Sequence, residues 1–227
     1  MVITSSVSIP TGLYQRDPLQ TSLGRNILKH SVLLIDKIGF EAFTFKKLAQ
    51  FMGSNETSLY RYFENKHLLL LYLVVWYWNW VSYLIDYNTH NIDDPNKKLC
   101  IIIDNLIEAS RENQEVEFVN ERILHHIIVE ESSKAYHTKS VDNENKDGFF
   151  LSYKDLIQKI ADVILEIDPK FPYPHSFGSN LFEMANNQIF FAQHLPSLTD
   201  IEVKGEDFKQ VKKLMMFYVN RVLLQEK

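Results

Sequence analysis

Thr57, Ser58 and Arg61 crowd into the run NETSLYRYF, from Asn55 to Phe63. Two hydroxyls that can donate or accept, beside a guanidinium with a planar fork of donors, suit hydrogen bonding to base edges and phosphate oxygens better than bond-breaking chemistry. A short helix would present them. Asn55 can cap it; Leu59 and Phe63, four apart, then point inward and leave Glu56, Thr57, Ser58, Arg61 and Tyr62 on the free side.

The preceding residues form a second such element. Thr44 can cap a helix in which Phe45, Leu48, Ala49 and Met52 share one face, and Gly53 turns the chain into the next helix. Two short helices across a glycine turn make a helix-turn-helix. Before them, Thr21 or Ser22 can cap a helix with Ile27, Ser31, Leu34, Ile35 and Ile38 on one stripe, ended by Gly39. Arg25, Lys29 and Lys37 lie on its outer side, as a solvated face or as phosphate contacts.

The runs GFEAFTFKKLAQFMG and SLYRYFENKHLLL carry a resemblance. Over residues 22–75 the sequence resembles the DNA-binding domain of TetR-like (TetR/AcrR) transcriptional regulators, which show a Gly-aromatic turn, a Thr, an apolar-Ala pair, a Gly and then Leu-Tyr-x-x-Phe-x-x-Lys. The position after the cap, often Lys in that family, is Glu56 here; a carboxylate repels phosphate, so it accepts from a cytosine amino group or faces away from DNA. The resemblance implies that Thr44, Tyr60, Tyr62 and Lys66 contact phosphate, Lys66 also standing at a helix N-terminus. Asn55, Thr57, Ser58 and Arg61 complete the expected DNA-binding set, the last three reading base edges.

Net charge is −5, which is unusual for a DNA binder until it is divided along the chain. From Thr21 to His67 seven Lys/Arg stand against four Asp/Glu, +3; residues 1–20 are neutral, so 68–227 carry −8. A basic head on an acidic remainder keeps non-specific affinity low yet leaves one face attractive to phosphate. The single cysteine, Cys100, excludes an internal disulfide and a multi-thiolate metal site and fits a reducing cytoplasm. The start, MVITSSVSIP, lacks the basic and long apolar regions of a secretory signal. Residues 1–20, polar and without period, read as a mobile arm.

Leu68 to Ile85 contains no charge, long enough that a membrane span must be weighed. Trp76, Trp78 and Trp80 sit mid-run rather than at its ends, and the flanks lack a basic cluster, so a buried helix is expected and no membrane. Trp76, Trp80, Tyr83 and Tyr87, spaced four, three and four, form an aromatic stripe that is either core or the wall of a cavity. Further helices are expected around Leu99 to Ile107, Ile123 to Tyr136, Phe149 to Ile167, Ser176 to His194 and Glu206 to Leu224, with Thr138 to Gly148 a polar loop. The total is about nine helices and no strand.

The fold expected is therefore all-α: a three-helix head at 21–67 and a larger helical domain at 68–227. The resemblance implies that this larger domain holds a small-molecule pocket and dimerises through its last two helices. Candidate ligand contacts are Trp76, Trp80, Tyr83, Asn105, His125, Glu183 and Asn187. Candidate dimer contacts are Met184, Gln188, Phe208, Val211, Met215, Tyr218 and Val222. His125 and His126 lie about 100° apart on a helix and cannot share a metal. No phosphate loop, nucleophile elbow or H-E-x-x-H occurs, so no enzyme, metal or cofactor is expected. The function expected is a cytoplasmic one-component regulator, a repressor, whose homodimer leaves a palindromic double-stranded operator when a small, mostly apolar ligand binds. The competing reading is a dimeric helical interaction protein that has lost specific DNA recognition, kept open by Glu56.

Overall fold

The first four helices start where capping side chains place them. The computed structural model describes residues 9–108, 119–205 and 207–223. Helix α1 (Ser22–Ala42) starts with Thr21 Oγ1 accepting from the Gly24 N–H at 2.9 Å. α2 (Phe45–Met52) starts with Thr44 Oγ1 accepting from the Lys47 N–H and ends at Gly53, whose φ of 63° is the left-handed cap that glycine reaches without strain. α3 (Glu56–Tyr60) follows, capped by Asn55 Oδ1 on the Thr57 N–H. α4 (Lys66–Thr89) is capped by Asn65 on Leu68. Then come α5 (Pro95–Glu108), α6 (Glu121–Glu131), α7 (Ser133–Tyr136), α8 (Val141–Lys146), α9 (Leu151–Ile167), α10 (Pro174–His194) and α11 (Lys209–Leu223). No strand occurs among the described residues, and the all-α class expected from periodicity is the observed one.

The helix count rises from nine to eleven through two short elements. The segment expected as a loop from Thr138 to Gly148 contains α8, and α7 splits off the end of the preceding helix. Both have only about one turn, too short for a 3.6-residue period to declare itself.

Two compact units divide the chain after Asn79 and after Ser152. The first holds 9–79 and 119–152. Its core includes Ile27, Leu28 and Ile35 of α1, Leu48 of α2, Leu59 of α3 and Phe63, all at most 1% exposed. Every residue of α4 from Leu69 to Trp78 is buried, so this part of the charge-free run, apolar on all sides, is covered by protein, while Ser82, Tyr83 and Leu84 further along are half-buried. The second unit holds 80–108 and 153–223, where α5, α10 and α11 pack on one another and α9 buries Leu156, Ile160 and Ile164.

The arm expected at 1–20 is corrected over 9–20. Leu13 is fully buried, the Gln15 N–H donates to the Tyr62 carbonyl at 2.9 Å, and the turn at Pro18–Gln20 lies so close to α1 that a Cβ on Gly24 would stand 2.3 Å from the Pro18 oxygen. The Gln15 to Tyr62 bond reaches over forty residues along the chain, so local polarity could not reveal it. Residues 1–8, and the ends Glu206 and Leu224 of the last expected helix, lie outside the described residues.

Candidate nucleic-acid interface and sensor residues

The helix-turn-helix buries the expected residues: Phe45, Leu48, Ala49, Leu59 and Phe63 face inward, while Met52 is only half-buried. Thr44, Asn55, Thr57, Tyr60 and Arg61 are exposed and Ser58 half-buried, so six of the eight DNA-binding candidates share the outer surface of α2 and α3. Thr44 and Asn55 use their oxygens as caps but keep a hydroxyl proton and an amide NH2 for an outside acceptor. Tyr60 packs edge-on against Phe45 at 5.0 Å, with its hydroxyl 3.4 Å from a Glu56 oxygen. Glu56 also sits in the first turn of α3, where a carboxylate favours the helix dipole, a structural reason for an acid at this position.

The remaining two candidates take other roles. Tyr62, expected on the free side, is 2% exposed, and its hydroxyl meets Thr21 Oγ1 at 2.8 Å. Burial follows from the unforeseen segment 9–20, whose Arg16 guanidinium lies 5.7 Å from the Tyr62 ring centre. Lys66, expected on phosphate, donates instead to the carbonyls of Phe40, Glu41 and Phe43 at 3.0, 3.2 and 3.3 Å. Three acceptors use the three ammonium protons, so Lys66 closes the C-terminal end of α1, whose last carbonyls lack helical partners. Sequence reasoning passed over Lys46 and Gln50, both exposed on the outer side of α2; their spacing of four, offset from the buried Phe45-Leu48-Ala49 face, was the available signal.

The ligand candidates fall in both units. Trp76 and His125 belong to the first unit; Trp80, Tyr83, Asn105, Glu183 and Asn187 belong to the second. Trp80 is 1% exposed and stacks on Tyr83, which stacks on the exposed Tyr87, with centroids 5.7 and 6.1 Å apart. The lower stripe is therefore a ladder of rings. Asn105 accepts from Asn88, Glu183 accepts from the Tyr153 hydroxyl, and Asn187 is exposed. A cleft of about 350 Å³ in the second unit is lined by Ile85, Asp86, Thr89 and His90 of the α4 end, with Lys98, Lys159 and Asp162 among its other walls. At about 100° per residue, Ile85 and Thr89 lie on the side of α4 away from the aromatic stripe, while Asp86 and His90 lie nearer to it, so the cleft borders the stripe's flank.

His125 is buried and stacked on Tyr77, ring centres 5.9 Å apart. Burial, then the neighbouring His126, pushes its pKa from 6.5 down to about 4. The unfolded chain therefore takes up this proton first, and the contribution of neutral His125 to stability is lost as pH falls through 6.5 towards 4. Urea unfolding at pH 8 and pH 4.5 should show a loss on the order of 2–3 kcal/mol that is missing in His125→Phe, the variant serving to subtract the carboxylates. Equal pH dependence in both proteins would show that His125 does not titrate this way.

The dimer candidates divide by burial. Val211 and Met215 are fully buried and Phe208 is 9% exposed, so these belong to the protomer's own packing and are corrected as dimer contacts. Met184 and Gln188 are half-buried, Gln188 accepting from the Thr199 hydroxyl, while Tyr218 and Val222 are exposed. Phe217, absent from the expectation, is 54% exposed beside them.

The chain is thus an all-helical protein with a helix-turn-helix head. No protein-family model and no curated protein matches its sequence. Solved structures do match. AibR in complex with isovaleryl coenzyme A and operator DNA is 13% identical, aligns over 88% of this chain and 97% of its own, and has a TM-score of 0.56. The TetR-family regulator PfmR from Thermus thermophilus gives 14%, 88%, 99% and 0.55 in the same order. The superantigen PfiT gives 14%, 93%, 100% and 0.59. The fold is that of the TetR-family transcriptional regulators.

Proposed function

We propose that this protein is a one-component transcriptional regulator, a repressor, that binds a palindromic operator as a homodimer and releases it when a small molecule binds. The observation that carries this is the outer surface of α2 and α3, where Thr44, Asn55, Thr57, Ser58, Tyr60 and Arg61 stand clear of a buried Leu48-Ala49-Leu59-Phe63 core. Two copies of α3 would enter successive major grooves about 34 Å apart, with Thr57, Ser58 and Arg61 at base edges and Thr44, Tyr60 and Lys46 at phosphates. The operator and acyl-CoA complex of AibR supports both partners by analogy of fold. A buried phenol, Tyr77, whose hydroxyl has no partner among the described residues, supports a mostly apolar ligand with a polar group to meet it.

Selection from random duplexes at physiological salt tests the reading. Enrichment of an inverted repeat with half-sites one helical turn apart is expected. The second reading, a dimeric interaction protein without sequence-specific DNA binding, is favoured by Glu56 on α3 and by the full engagement of Lys66 with carbonyls. Selection that returns no motif would favour that second reading.

A further inference from the structure

The joint between α1 and α2 holds a buried carboxylate that comes from 91 residues further along the chain. α1 breaks at Gly39, with φ 73° and ψ 155°, so the Phe40 N–H leaves the helical ladder. It donates instead to Glu131 Oε1 at 3.0 Å, and Glu131, the last residue of α6, is only 6% exposed. The other Glu131 oxygen pairs with Lys134, whose ammonium also reaches Glu41 of α1 at 3.5 Å. On the far side of the joint, Lys66 of α4 holds the carbonyls of Phe40, Glu41 and Phe43. The residues between α1 and the Thr44 cap are thus gripped by a carboxylate on their N–H side and an ammonium on their carbonyl side. Neither gripping residue belongs to the helix-turn-helix. A second α6 contact, His126 to Asp36 at 3.7 Å, lies about one turn earlier along α1.

We infer that Glu131 is a positioning residue for the DNA-reading head: by holding the Phe40 N–H at the Gly39 break it helps fix how α2 leaves α1, and a displacement of the α6 end reaches α2 and α3 through this joint. The effect on DNA rests on the DNA-binding reading above, whereas the grip on the joint does not. A buried N–H stripped of a charged acceptor has no water to replace it, so the joint must open or rearrange when Glu131 is lost. Glutamine at this position keeps a carbonyl oxygen for the Phe40 N–H but gives up the charge that engages Lys134. The two substitutions therefore separate the hydrogen bond from the ion pair.

Hydrogen exchange on the whole protein, free of DNA, tests the grip. In Glu131→Ala, amides of residues 39–44 should exchange about tenfold faster while those of α10 and α11 keep their rates, since the loss of one charge-assisted hydrogen bond opens a local unit before the whole. Glu131→Gln should stay within about twofold of the wild type at Phe40, because an acceptor is retained. A duplex recovered by selection should bind Glu131→Ala about tenfold more weakly and Glu131→Gln nearly as the wild type does. Unchanged exchange at Phe40 in Glu131→Ala overturns the inference, and so does faster exchange at the joint with DNA affinity intact. If Glu131→Ala does not fold, the inference stands or falls on Glu131→Gln: Phe40 protection kept after the charge is removed supports it, and protection lost overturns it. Should the wild type bind no duplex, the proposed function fails, and the exchange rates decide the grip by themselves.

Discussion

Replacing Arg61 by alanine should cost the dimer on the order of 2–6 kcal/mol of operator affinity, at ~1–3 kcal/mol for each bidentate base contact in two half-sites. Arg61 follows α3 directly, and its side chain is exposed, so no internal packing is lost with it. Sequence preference at the contacted base pair should relax, while thermal stability stays near wild type. Lys66→Ala is the contrasting control. Its ammonium satisfies three carbonyls at the end of α1 and lies 4.7 Å from the centre of the Phe40 ring. Removing it should destabilise the head by about 1.5–3 kcal/mol, the range for hydrogen bonds to a charged group, yet leave the slope of log affinity against log salt nearly unchanged. Fluorescence titrations at several salt concentrations, paired with melting curves, separate the two. A salt slope that drops by about 2 per dimer in Lys66→Ala would return that residue to the phosphate backbone, and an Arg61→Ala protein with wild-type affinity and preference would remove α3 from base reading.

Local signals were the legible ones. Thr21, Thr44 and Asn55 were readable as caps because a cap needs only a short polar side chain two or three residues before the N–H that it receives, and all three make that bond. The apolar faces of α2, α5 and α9 were readable because a period of 3.6 is a property of the element alone. Tyr62 and Lys66 show where such reasoning stops. Both resemble phosphate contacts by motif, and both are claimed by groups distant in sequence: Thr21 and Arg16 in one case, the broken end of α1 in the other. The Glu131 link to Phe40 has no sequence signal, since an acid at the end of a helix usually reads as a solvated face. Periodicity likewise marked Val211, Met215, Tyr218 and Val222 as one apolar set but could not divide it between the protomer's interior and its outside.

That division changes how the proposed dimer should be broken. Along α11 the apolar residues lie on two sides. Val211, Met215 and Val219 are at most 2% exposed, whereas Phe217, Tyr218 and Val222 are 54%, 44% and 44% exposed. The outer three follow a spacing of one and four, with Arg221 adding its guanidinium 5.7 Å from the Phe217 ring centre. Large aromatic residues and arginine are the types that anchor protein interfaces, and a twofold axis would set this stripe against its own copy. The double replacement of Phe217 and Tyr218 by glutamate should leave the fold and its melting temperature close to wild type while abolishing the dimer at micromolar concentration, because four carboxylates would face one another across the axis. Met215→Glu should behave differently: it buries a charge inside the protomer and should cost more than about 4 kcal/mol of folding stability, so any loss of dimer would follow from loss of structure. Sedimentation equilibrium with circular dichroism on the same samples distinguishes these outcomes. A folded Phe217→Glu/Tyr218→Glu protein that still sediments as a dimer would move the interface off α11, and a wild-type monomer would remove the two-half-site geometry on which operator reading depends.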